Sequence, residues 1–152
     1  MIHELHAVCD KLRLGHTRET VAEAIQEAQR RKTSYSKFLL DVLAGELEYQ
    51  RTRTIANRIK HCGLQDYWTL ESFPWDIQKK AQKHRKAVGE LAELDFLDRG
   101  ESVVFMGEPG VGKSGLAAGL LLKTLYAGRP GRCIKAQDLF DELKAGQADR
   151  MT

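Results

Sequence analysis

Long apolar runs are missing from this 152-residue chain. No stretch of 18 consecutive apolar residues occurs, so no membrane-spanning helix is expected. The opening Met1-Ile2-His3-Glu4 has neither a basic start nor an apolar core, and no secretory leader is expected there. Cysteine is scarce as well. Cys9, Cys62 and Cys133 are odd in number, far apart and without a C-x-x-C pair, which argues against a disulfide framework or a zinc site. Scattered thiols of this kind suit a reduced cytoplasm. Aromatic residues are only 7% while charged residues are 30%, a balance that fits a helix-rich chain of one ordinary domain or two small ones.

A large charge imbalance is also lacking: the formal net charge is +3. Its distribution is uneven. Arg51, Arg53, Arg58 and Lys60 fall within ten residues that contain no acid, and Lys79, Lys80, Lys83, Arg85 and Lys86 fall within eight. These nine side chains are the candidate DNA contacts, since two basic runs in a nearly neutral chain suggest faces that meet an anionic partner. A solvated helix surface is the plainer reading of either run alone.

Along the chain, residues 2–14 place Leu5, Val8, Leu12 and Leu14 near helical spacing. Thr17 is a candidate N-cap for a second helix running to Arg31-Lys32. Ser34 is the candidate cap of a third, long amphipathic helix carrying Phe38, Leu39, Val42, Leu43, Leu47, Ile55 and Ile59 and ending near Gly63. Residues 1–66 are therefore expected to form a helical head. Residues 67–98 form a connector, with Pro74 holding Phe73 out of the α region, followed by two short helices over 77–87 and 89–98. Tyr67, Trp68, Phe73 and Trp75 must find cover there, either between domains or around a nucleotide base. Residues 99–152 then change class. An apolar run, Ser102–Met106, ends on a glycine loop, a helix follows to Tyr126, and Arg132–Ala136 and Gln137–Lys144 predict a second strand and helix. Strand, loop, helix, strand, helix opens a parallel α/β sheet.

Chemistry concentrates in that loop. Gly107-Glu108-Pro109-Gly110-Val111-Gly112-Lys113-Ser114 satisfies G-x-x-x-x-G-K-[S/T] at every fixed position. Glycines let successive N–H groups turn inward as a nest for phosphate oxygens, and the following helix points its positive end at the same anion. Pro109 has no N–H, so the donors are expected from Gly110 onward. Lys113 is expected to reach the β- and γ-phosphates, and the Ser114 hydroxyl to ligate Mg²⁺. Such a nest does not select the base. His3 and His6 share a helical face but lack a third metal ligand nearby, and Cys133 is expected to be a small buried residue.

The helical head with Thr33–Leu40, the connector Thr69–Phe73, and above all Arg99–Ser114 together resemble the IstB-like ATPases, transposition helpers of bacterial insertion sequences related to DnaC-type helicase loaders within the AAA+ class. Lys135–Leu143 resembles that family's second strand and following helix. The resemblance implies ATP and Mg²⁺ as cofactors, a helical head that contacts DNA and partners, homo-oligomers on DNA, and a transposase as partner. It also implies an AAA+ type α/β nucleotide-binding domain in which the P-loop strand and the next strand are not sheet neighbours, so apolar surface is expected to be exposed. Helicase loading is the alternative activity, and a truncated non-catalytic DNA- or partner-binding module is the alternative of another class. Only 38 residues follow Ser114. The family's Walker B acids, sensor and arginine finger find no match among them. Asp138, Asp141 and Glu142 fall in a predicted helix, so no catalytic residue is assigned, and the expectation is a truncated product or fragment that binds ATP without turning it over.

Overall fold

A computed structural model describes residues 1–148. The chain divides into two compact units, Met1–Ala56 and the residues from Asn57 onward.

The first unit is helical. α1 (Ile2–Leu12) turns into α2 (Gly15–Arg31) through Arg13, which adopts left-handed backbone angles and returns its N–H to Asp10 and Cys9. α3 (Tyr35–His61) continues beyond the unit boundary. The Ser34 hydroxyl accepts the Lys37 N–H at 3.4 Å, so the expected cap is present, although long. Thr17 is not the cap of α2. The helix starts two residues earlier, and the Thr17 N–H is instead taken by the Glu46 carboxylate of α3 at 2.7 Å. A carboxylate from a neighbouring helix thus satisfies a first-turn donor that would otherwise lack a partner.

Glu46 is only 4% exposed and also accepts from the Gln50 amide at 3.0 Å. Burial works to raise its pKa, yet the Thr17 N–H, the Gln50 amide and nearby His16 outweigh it and hold the carboxyl below its ordinary range. This position also decides which face of α3 packs. Phe38 and Val42 are half-buried on the Glu46 side, whereas Leu39, Leu43 and Leu47 lie about one residue further round the helix and are exposed. The apolar stripe of α3 is wider than the surface its neighbours cover.

The second unit begins with the last turn of α3. Gly63, at φ +79°, carries the chain away, and the Cys133 N–H donates to the Cys62 carbonyl at 2.6 Å. The connector follows, then α4 (Lys79–Gln82), α5 (Arg85–Leu91), α6 (Asp95–Asp98), the P-loop, α7 (Lys113–Tyr126) and α8 (Ala136–Ala148). The expected basic helix over 77–87 is broken at Lys83-His84. Lys79, Lys80, Lys83 and Lys86 repel one another at helical spacings of three and four, which disfavours an unbroken helix. Phe73, Trp75, Ala81, Val88 and Leu116 form the buried cluster, with Leu70 and Phe105 against it.

No strand is formed among the described residues. Residues 102–106 nevertheless alternate as an extended segment does: Val103 and Phe105 are half-buried, while Val104 is 76% and Met106 88% exposed. No backbone hydrogen bond joins this segment to residues 132–136. A strand needs a ladder partner, and neither segment supplies one to the other. Leu139, Phe140 and Leu143 of α8 are exposed as well, so the expected apolar surface is present. Cys133 is exposed rather than buried, because its segment has no covering layer, whereas Cys9 and Cys62 are buried. No helix is long and apolar enough to cross a membrane among the described residues.

Candidate functional site: a phosphate-binding loop and its connector

Residues 107–112 form the loop between the extended segment and α7. Gly110 (φ +82°) and Gly112 (φ +89°) take backbone angles that side-chain-bearing residues rarely adopt. Gly112 is also the N-cap residue of α7, so the loop runs directly into the helix start. The N–H groups of Gly110, Val111 and Gly112 donate to no acceptor among the described residues. Free donors at a helix N-terminus suit a polyphosphate, and the loop residues fit the phosphates of a nucleotide.

The Lys113 ammonium turns back over the loop, donating to the Gly107 carbonyl at 2.9 Å and the Glu108 carbonyl at 2.7 Å. Its charge is therefore held at the mouth of the loop. Glu108 in turn forms an ion pair with Lys80 of α4. Ser114 is exposed in the first turn of α7 with its hydroxyl free for a ligand.

The connector lies along α7. Phe73 rests on Gly112 and Gly115, Trp68 approaches Gly115, and Leu70 lies against Gly119. A Cβ added to Gly112 would meet Phe73 ring carbons at 2.5 and 2.7 Å, and one on Gly119 would meet Leu70 at 2.7 Å. Of the four connector aromatics, Phe73 and Trp75 are buried and pack at 4.6 Å between ring centroids. Tyr67 and Trp68 stay open, at 57% and 43% exposure.

Two cavities flank the loop. One, of about 610 Å³, opens on Gly107, Glu108, Val111 and Lys113 and is otherwise walled by residues from Lys80 to Leu91, residues 103–106 and Leu116 of α7. The other, of about 850 Å³, opens on Ser114, Gly115 and Ala118, with Trp68 and the 132–135 segment opposite. Arg132 there donates to Glu142 at 3.2 Å, and this bond holds the Glu142 carboxyl below its ordinary range.

Comparison with known proteins bears on the same residues. A family model described as IstB-like ATP binding protein matches residues 7–151. The chain belongs to the IstB-like ATP-binding family. It is 35% identical over 127 residues to a protein of insertion sequence IS21 from Pseudomonas aeruginosa, covering 84% of this chain and 47% of that one. It is 31% identical over 144 residues to one of insertion sequence IS5376 from Geobacillus stearothermophilus, covering 95% and 57%. An IS21-like relative from Bacteroides fragilis is 29% identical, with 97% and 73% covered. All three are named for ATP binding. The chain spans about half the length of the first two.

The basic side chains of this family member fall into different settings. Arg51 and Arg53 are exposed on α3 in the first unit. In the second, Arg58 is half-buried and donates to the Gly128 carbonyl, so it ties the end of α3 to the turn after α7. Lys60 is exposed. Lys80 is paired with Glu108, and the Arg85 guanidinium lies 5.8 Å from the centroid of a Trp75 ring. Lys79, Lys83 and Lys86 are exposed without an ion pair among the described residues. His3 is exposed and His6 half-buried, and no metal-binding group of three or more His, Cys, Asp or Glu occurs among the described residues.

Sequence reasoning missed the Lys80–Glu108 tie and the crossing of α7 by the connector. The spacing of Gly112, Gly115 and Gly119, which follows one helix face, was the available signal for the second.

Proposed function

We propose that this chain holds ATP with Mg²⁺ at Gly107–Ser114 and is the nucleotide-holding portion of an insertion-sequence helper that acts on DNA with a transposase. One observation carries the reading: free loop N–H groups, the αL cap at Gly112 and the Lys113 ammonium converge on the N-terminus of α7. Gly110, Val111 and Gly112 would donate to phosphate oxygens from the main chain. Lys113 would exchange its two carbonyl partners for the terminal phosphates, and Ser114 would ligate Mg²⁺, which when bound offsets phosphate charge. Glu108, Pro109 and Val111 shape the loop.

Insertion-sequence names among the relatives support transposition over helicase loading. The wider reading includes residues 102–106 and 132–136 as strands of an AAA+ type α/β sheet, a cytoplasmic setting, and assembly as a homo-oligomer on DNA. Arg51, Arg53, Arg58, Lys60, Lys79, Lys80, Lys83, Arg85 and Lys86 are the DNA contacts in that reading, with Arg58, Lys80 and Arg85 also engaged within the chain.

Equilibrium dialysis with labelled ATP tests the core of it. Saturable binding that weakens when Mg²⁺ is chelated is expected. No saturable binding at millimolar ATP with Mg²⁺ contradicts it.

A further inference from the structure

The loop has a direction. Lys113 reaches back to the Gly107 and Glu108 carbonyls, so the terminal phosphates belong at that end of the nest. The α-phosphate, sugar and base must then continue past Ser114. The cavity on that side is the one of about 850 Å³, within the range of small-molecule sites. The cavity of about 610 Å³ opens on the terminal-phosphate end and is excluded for the base on the same ground.

Trp68 borders the first of these. Its Cγ lies 3.9 Å from the position of a Cβ on Gly115, one residue beyond the Ser114 hydroxyl. Unlike Phe73 and Trp75, it is not absorbed into the core and remains 43% exposed. Gln65 and Asp66 line the same cavity and bring an amide and a carboxylate to it. An open indole beside a phosphate nest, with hydrogen-bonding groups next to it, has the composition of a nucleobase site.

We propose that Trp68 is the platform on which the purine ring of the P-loop nucleotide stacks. This deepens the ATP reading and rests on it. Base selection then resides in the connector and the cavity wall rather than in the nest.

Calorimetric titration of the full chain with ATP and with inorganic tripolyphosphate separates the two. Trp68→Ala is expected to weaken ATP about tenfold, the scale of one base–aromatic stack, and to leave tripolyphosphate unchanged. Trp68→Phe, which keeps an aromatic face, is expected to bind ATP nearly as the wild type does. ATP is also expected to change the intrinsic tryptophan fluorescence of the wild type, with the change lost in Trp68→Phe. Unchanged ATP affinity in Trp68→Ala overturns the platform, as does an equal loss for both ligands, which would mark a structural connector residue. An ATP signal of undiminished size in Trp68→Phe, where only Trp75 remains to report, overturns it too. A wild type that binds neither ligand overturns the phosphate nest itself, and the platform with it.

Discussion

The ring of Phe73 occupies the space that a side chain at Gly112 would need, with ring carbons 2.5 and 2.7 Å from the position of the missing Cβ. The same glycine holds φ at +89° where the loop enters α7. Two independent constraints therefore exclude a side chain at one position: backbone conformation and close approach. The connector and the phosphate loop share this residue, so packing of the unit and shaping of the nest are coupled.

Gly112→Ala is expected to destabilise the chain by about 1–3 kcal/mol, from positive-φ strain and overpacking combined. Urea unfolding monitored by far-ultraviolet circular dichroism measures it. Phe73→Leu added to Gly112→Ala should recover part of the loss, because the clash is relieved while the φ strain stays. A single mutant as stable as the wild type would show that the ring does not hold this place.

Glu46 makes the stability of the first unit depend on pH. Its folded pKa is depressed below the ordinary value of 4.5, so the stabilisation is present above that value and is lost as pH falls through the folded pKa. Thermal melts from pH 7 downward are expected to stay level and then drop below about pH 5. Glu46→Gln keeps an oxygen for the Thr17 N–H but no charge, so it should melt lower at pH 7 and approach the wild type in acid. Parallel curves for both proteins would rule out the carboxylate as the cause.

The basic residues should separate by role. Lys83→Gln and Lys86→Gln are expected to weaken DNA binding and each to reduce the slope of log affinity against log salt by about one. Arg58→Gln is expected to lower the melting temperature with little change in that slope, because its guanidinium is engaged with the Gly128 carbonyl. Filter binding across a salt series distinguishes these outcomes. Slopes unaffected by the lysine changes would remove the segment from the DNA contacts.

Much of this was legible in residue patterns. The three helices of the first unit follow from the spacing of Val21, Phe38 and Val42 and from the break at Gly15. The loop that enters α7 follows from its glycines, of which Gly110 and Gly112 take the positive φ that the spacing predicts. The start of α2 is not legible, because Thr17 carries the local signature of a cap while its N–H is satisfied by Glu46, 29 residues away. Nothing local encodes such a partner. The segments 102–106 and 132–135 carry strand-like composition, but pairing is a relation between segments, and among the described residues neither finds its ladder. The burial of Phe73 and Trp75 against the exposure of Trp68 likewise depends on where the connector crosses α7.

Titration of fluorescent ATP into wild type and Lys113→Ala, both with Mg²⁺, tests the central claim most directly. Lys113 is bonded only to exposed carbonyls of its own loop, so the mutant should melt within a few degrees of the wild type. The wild type is expected to bind saturably and the folded mutant to show no binding at the same concentrations. Equal affinity in the two proteins would contradict a phosphate-holding loop at Gly107–Ser114.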